Sequence, residues 1–381
     1  MILRARVVVT MDGPPIENGA VAFSGDQIID VGKFDDVRAR NSDEIVDLGE
    51  RVLLPGLINA HCHLDYTCLR GKIPRQKSFT DWIRAINAEK ARLSPEDYVA
   101  SINEGFAEAK RFGTTTIANL TAFLELIARI QPPIRTYWFP ELIDVRAKVD
   151  VDLAASGLAP HAPFTASADL YRRCEEVAAL LTTHLAESRE EMSMFRDADG
   201  PLYDFMKEIG RDMSDCGRRT PIQHFFNIVQ KGEWMLVHLN EVAESDFDLL
   251  ARSTMKFSVV HCPRSHDYFD HSPFQFQRLR GMRVNVCLGT DSLASNDDLS
   301  LFAEMRAFQG KFAGVSAEEI LAMTTVKAAR ALRQENKRGK IRRDAHVDLV
   351  AIPFSGGDVF EEIIGFDGTP WMMINGKVTG D

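Results

Sequence analysis

Apolar and polar residues along this chain alternate with two different periods. Near the start, Ala20-Val21-Ala22-Phe23 and Ile28-Ile29-Asp30-Val31 flank Gly25-Asp26. Two short β-rich runs around a turn dipeptide predict a hairpin. Residues 1–54 keep this character, and so do residues from 340 onward. There, His346-Val347-Asp348-Leu349-Val350-Ala351-Ile352 reads as a strand and Asn375-Gly376 as a tight turn. Neither piece could bury a core alone, so residues 1–54 and 340–381 are expected to build one small composite β-sandwich domain. Residues 55–339 instead alternate strands with helices. Ser94 caps a helix with Pro95 in its first turn, and Tyr98, Ile102, Phe106, Ala109 and Phe112 share one face. Gly113 ends it, and Thr114-Thr115-Thr116-Ile117-Ala118 follows as a strand. Ser316 with Glu319 predicts a capping box, with Ile320, Met323 and Leu332 in the buried stripe behind it. Strand–helix units repeated over roughly 280 residues place the chain in the α/β class and predict a (β/α)8 TIM-type barrel. A doubly wound open sheet is the alternative, weakened because no Gly-x-Gly-x-x-Gly follows an early strand.

Composition narrows the function. The 381 residues are 45% hydrophobic and 26% charged, as in a folded soluble protein. No apolar run reaches membrane-spanning length. The opening Met1-Ile2-Leu3-Arg4-Ala5-Arg6-Val7-Val8-Val9-Thr10 is too briefly apolar for a signal peptide. A net charge of -10 argues against a nucleic-acid partner. The expectation is a cytoplasmic enzyme acting on a small molecule, with a homo-oligomer left open. Six cysteines without a Cys-x-x-Cys pair make a disulfide framework or a structural zinc site a poor fit.

The chemistry collects at predicted strand ends. Val52-Leu53-Leu54-Pro55-Gly56-Leu57-Ile58-Asn59-Ala60 runs into His61-Cys62-His63. On a strand His61 and His63 project the same way and Cys62 the other, so the two imidazoles can grip one divalent ion. Leu180-Leu181-Thr182-Thr183-His184 offers a third nitrogen, and Glu187 just beyond it can handle protons. Met235-Leu236-Val237-His238 and Ser258-Val259-Val260-His261 end likewise. His238 suits the orienting of a water; His261 reads equally well as a core histidine. Val284-Asn285-Val286-Cys287-Leu288-Gly289-Thr290-Asp291 closes on a carboxylate that could ligate an ion and accept a proton. His161, between Pro160 and Ala162-Pro163, suits a substrate contact. Singly, each has a bland explanation as a core histidine or a helix cap. Together they fall on the carboxyl-terminal rim of a barrel, where catalysis occurs. Three histidines, one aspartate and an open position for water describe a catalytic metal site.

These segments resemble the amidohydrolase superfamily. The nearest likeness is its branch of mononuclear aromatic-amine deaminases and chlorohydrolases, which includes guanine, cytosine and S-adenosylhomocysteine deaminases and the triazine hydrolases. Pro55-Gly56-Leu57-Ile58-Asn59-Ala60-His61-Cys62-His63 is the most specific element. Pro160-His161-Ala162-Pro163-Phe164-Thr165, His184-Leu185-Ala186-Glu187, His261-Cys262-Pro263-Arg264-Ser265 and Leu288-Gly289-Thr290-Asp291-Ser292 follow in the family's order. The resemblance implies that His61, His63, His184 and Asp291 hold one Zn²⁺, with Fe²⁺ as the alternative. It implies that His238 hydrogen-bonds the attacking hydroxide, that Glu187 shuttles protons, and that His161 contacts the substrate. Glu89, after Trp82, falls near a position where relatives hold the substrate ring. His266 stands where relatives often have Asn, in a loop expected to face the substrate. The implied activity is hydrolytic deamination of a purine-, pterin- or nucleoside-like amine. The rivals are hydrolysis of another C–N or C–Cl bond at the same site, and a barrel scaffold without activity.

Overall fold

The computed structural model describes residues 1–145, 147–151, 156–177 and 180–379. Its strands in chain order are β1 (Ile2–Val8), β2 (Ile16–Ser24), β3 (Gln27–Lys33), β4 (Ile45–Asp47), β5 (Arg51–Pro55), β6 (Leu57–Cys62), β7 (Thr114–Thr121), β8 (Arg135–Leu142), β9 (Ala159–Pro160), β10 (Leu181–Leu185), β11 (Glu233–His238), β12 (Lys256–His261), β13 (Asn285–Leu288), β14 (Leu349–Pro353), β15 (Trp371–Ile374) and β16 (Lys377–Val378).

β6 to β9 form one parallel sheet and β10 to β13 another, each in sequence order. Two parallel bridges join them into a ring. Leu158 pairs with Leu181 between β9 and β10, and Cys62 pairs with Asp291 between β6 and the end of β13. The result is a closed barrel with helices in its crossovers, and the expected (β/α)8 architecture holds. One apolar cluster takes Ile58, Ala60, Ala118, Leu120, Phe139, Ala159, Met235, Val237, Val260 and Cys287 from seven of these strands and Leu180 from the foot of β10. Its members come from every side of the ring, as barrel-filling side chains do.

The chain ends meet in one eight-stranded sheet ordered β16-β15-β14-β5-β1-β2-β3, with β4 added beside β1. The β2–β3 hairpin turns at Gly25-Asp26, and the β15–β16 hairpin turns at Asn375-Gly376 with φ of 53° and 71°. Positive φ at both central residues is what a two-residue hairpin with matching twist requires. Gln27 bridges His346 across the sheet. The two flanks therefore fold toward each other over Leu3, Val21, Phe23, Leu53, Val347 and Met373.

Helix signals were read correctly where the caps are local. Ser94 and Asp97 close a reciprocal capping box, and Tyr98, Ile102, Phe106 and Ala109 are buried while Phe112 ends the helix half-buried. At Ser316 only half of the expected box forms. Its side chain accepts from the Glu319 N–H, but the Glu319 carboxylate turns to Arg280 and Lys327 at 2.6 and 3.3 Å. That helix stops at Met323, so Leu332 belongs to the end of the next one, Val326–Ala331.

Candidate active site

The rim at the carboxyl ends of β6, β8, β9, β10, β11 and β13 encloses a cavity of about 520 Å³ lined by His63, Glu141, His161, His184, Glu187, His238 and Asp291. His61 lies beneath them, fully buried. The β6–β7 register shifts between Asn59 and Cys62. Past this irregularity Cys62 packs outward with Leu64 and Phe106, while the His61 and His63 rings lie 4.9 Å apart. Asn59 ties β6 to the end of β13, donating to the Thr290 hydroxyl at 2.8 Å and accepting from the Thr290 N–H at 3.2 Å. Gly289 is required here because a Cβ would sit 2.7 Å from the His61 carbonyl oxygen.

Four imidazoles and one carboxylate converge. His63 Nε2 and His184 Nε2 are 3.2 Å apart. Asp291 Oδ1 is 3.6 Å from His61 Nε2 and 3.9 Å from His63 Nε2. Asp291 Oδ2 is held by the Ser265 hydroxyl at 2.7 Å, which leaves Oδ1 turned to the imidazoles. The His184 Nδ1–H donates to the His161 carbonyl at 2.9 Å, so its Nε2 carries the free lone pair. His238 and Asp291 both adopt positive φ, 76° and 58°. Such backbone is uncommon outside glycine and concentrates where a side chain must be re-aimed at a functional site.

This donor set fits a divalent cation. His61, His63 and Asp291 bring one ligand atom each within 4.8 Å of one another, and so do His61, His184 and His238. Both His61 ring nitrogens and His238 Nε2 have no hydrogen-bond partner among the described residues, which buried imidazoles rarely tolerate. Burial and the neighbouring imidazoles push His63 well below the ordinary histidine range, and the same causes take His184 down to about 3. Neutral imidazole is the ligating form. Burial also drives the Glu187 carboxyl well above its ordinary range, with Asp291 and Glu191 adding to the effect. Glu187 Oε1 lies 3.5 Å from His238 Nε2. The Glu191 side chain fixes the loop beneath, accepting from the Ala186 and Glu187 N–H groups at 3.2 and 2.7 Å.

The structure does not bring every expected residue here. Glu89 pairs with Arg92 at 2.6 Å and does not line the cavity; Asn87 and Lys90 of the same helix, Phe79–Lys90, do. His266 also falls outside it. Its Nε2–H donates to the Ser272 carbonyl at 2.9 Å, and its ring packs against His261. His261 is a core residue stacked face to face on Phe274 at 3.9 Å. Sequence reasoning missed Glu141, Ser265 and Lys90. A carboxylate at the end of the strand Trp138-Phe139-Pro140-Glu141 was a usable signal for the first. An apolar wall completes the chamber, with Trp82 and Ile83 packed in one cluster with Phe205, Met206 and Ile209, and Ile86 beside them.

A sequence model of the amidohydrolase family matches residues 52–367. The 5'-deoxyadenosine deaminase of Methanothrix thermoacetophila is 28% identical over 92% of this chain and 85% of its own length. Among solved structures, a zinc-bound adenosine deaminase from Xanthomonas campestris superposes with a TM-score of 0.79 at 24% identity, over 99% of this chain and 92% of the other. The Helicobacter pylori aminofutalosine deaminase does so with a TM-score of 0.86 at 19% identity, over 99% of both chains.

Proposed function

The chain belongs to the amidohydrolase family, and on that premise we propose that it is a metal-dependent hydrolytic deaminase of a nucleoside-like aminated heteroaromatic compound. The observation that carries this reading is Glu187, a carboxyl that burial pushes well above its ordinary range, 3.5 Å from His238 Nε2 and beside the cation-binding set. Relatives named as deaminases of adenosine-type nucleosides support the substrate class.

His61, His63, His184 and Asp291 would hold the ion. Three nitrogens and one carboxylate oxygen favour zinc, with iron(II) the alternative. A divalent cation held there would supply a nucleophile at neutral pH, by lowering the pKa of water to about 7. The protein's own groups do the rest. His238 Nε2 orients the attacking oxygen, and Asp291 takes up its proton. Protonated Glu187 gives its proton to the ring nitrogen beside the amino-bearing carbon. The new C–O bond makes that carbon tetrahedral. Asp291 passes the proton it took to the amine, the C–N bond breaks and ammonia leaves, and the next water returns a proton to Glu187. The apolar wall excludes water and strengthens these charge interactions. His161 faces the substrate from the rim, and Asn87 and Lys90 face it from the wall.

The test is ammonia release from a panel of adenosine-type nucleosides, free purines, pterins and aminotriazines. At least one nucleoside-like amine should be turned over by the zinc-loaded protein. Release of chloride or of a substituted amine, with no ammonia from any aminated ring, would favour the other C–N or C–Cl hydrolases instead.

A further inference from the structure

The Glu141 side chain, at the end of β8, is 4% exposed and lines the same cavity. Its Oε1 has no hydrogen-bond partner among the described residues. A carboxylate oxygen withdrawn from water without a donor is costly, so a donor should be close. Two ring nitrogens lie just outside bonding reach, His63 Nδ1 at 4.0 Å and His161 Nε2 at 3.8 Å. Each ring has its other nitrogen engaged. His63 Nε2 faces His184 Nε2 at 3.2 Å, and His161 Nδ1 is 2.6 Å from the Thr165 hydroxyl oxygen.

We infer that Glu141 is a positioning residue that sets the tautomers of His63 and His161 together. It takes the Nδ1–H of His63, which leaves the Nε2 lone pair for a cation. It takes the Nε2–H of His161, while the Thr165 hydroxyl turns its proton to Nδ1 at 2.6 Å in preference to the Ala162 carbonyl at 3.2 Å. A tightening of about 1 Å makes both contacts ordinary hydrogen bonds. Two consequences follow. The carboxylate raises the ligating power of His63, as outer partners of metal-bound histidines do. It also leaves both His161 ring nitrogens engaged, so that ring meets the substrate through its face or edge and not through an N–H.

This inference rests on the cation-binding reading above, and its test separates the two. Zinc affinity is measured by chelator competition on the wild type, Glu141→Gln and Glu141→Asp. Selectively ¹⁵N-labelled histidines in the wild type report the tautomers. We expect Glu141→Gln to bind zinc about 10–100-fold more weakly, with Glu141→Asp recovering part of the loss. We expect His63 protonated at Nδ1 and His161 at Nε2. Unchanged affinity in Glu141→Gln, or His161 protonated at Nδ1, overturns the assignment. Should Glu141→Gln fail to fold, the wild-type tautomers decide alone. A wild type that binds no zinc sinks the cation reading, while the His161 tautomer on that same sample still decides the role of Glu141.

Discussion

Glu187 and Asp291 share a chamber but are set for opposite tasks. Asp291 Oδ2 is tied down by Ser265, while burial pushes the Glu187 carboxyl well above its ordinary range. Glu187→Gln should therefore lower kcat by about 10²–10⁴-fold, the usual contribution of a positioned acid. Bound zinc, measured by elemental analysis, should stay at the wild-type level. Ser265→Ala should act differently, weakening zinc binding through a freed Asp291 carboxylate. A drop of about tenfold in chelator competition is the expected size. At this scale the histidines were legible because each closes an apolar run, a pattern that exists in sequence. Glu141 closes a strand in the same way, but its role depends on its placement beside His63 and His161, which no local pattern gives. Glu89 misled by one position. A helix turns about 100° per residue, and that step separates Glu89, bound to Arg92, from Lys90 in the wall.

Among the elements, the helix Phe79–Lys90 matters most for substrate, because it carries Trp82, Ile83, Ile86, Asn87 and Lys90. Its first turn is fastened to the helix Arg189–Asp197, which starts just after Glu187. The Glu190 carboxylate accepts from the Phe79 and Thr80 N–H groups, both at 2.9 Å, and from the Thr80 hydroxyl. A carboxylate at a helix start satisfies orphan donors and suits the positive end of the dipole. Glu190→Ala should cost about 1–2 kcal/mol, in the range of a lost cap. KM should rise more than kcat falls, and amide exchange should quicken in residues 79–90. An unchanged KM would show that the wall holds its place without this fastening. Capping at Ser94 could be read from sequence because both partners lie within one turn. The Glu190 contact could not, since its donors lie 110 and 111 residues away.

At the scale of the whole molecule, barrel and outer sheet share one covalent path: β5 lies in the sheet and β6, after Gly56, in the barrel. The fold class was legible because strand and helix periods alternate along residues 55–339. The outer sheet was legible only as two unfinished pieces; that β5 pairs with β1 and β14 is a long-range fact without a local signal. Removing residues from 349 onward would strip β5 of one of its two partners and the main core of the buried Ile363 and Ile364. Such a truncation should be insoluble or lack a cooperative melt. Stability should also depend on Glu304, buried beneath the β13 loop and pushed up to about 8 by that burial. Ionising it is harder in the fold than in the unfolded chain. Its contribution is complete below the ordinary value of 4.5 and fades as pH rises toward 8. Urea midpoints of the wild type should fall relative to Glu304→Gln over this window, by on the order of 2–4 kcal/mol in stability.

The ring closes where Cys62 meets Asp291, and the proposed ligands stand on both sides of that join. An ion bound there would act as a clasp between the first and last staves of a cask. Its loss should be felt first as a loosening along that seam. Metal supply and resistance to unfolding would then rise and fall together, even in a preparation that never meets its substrate.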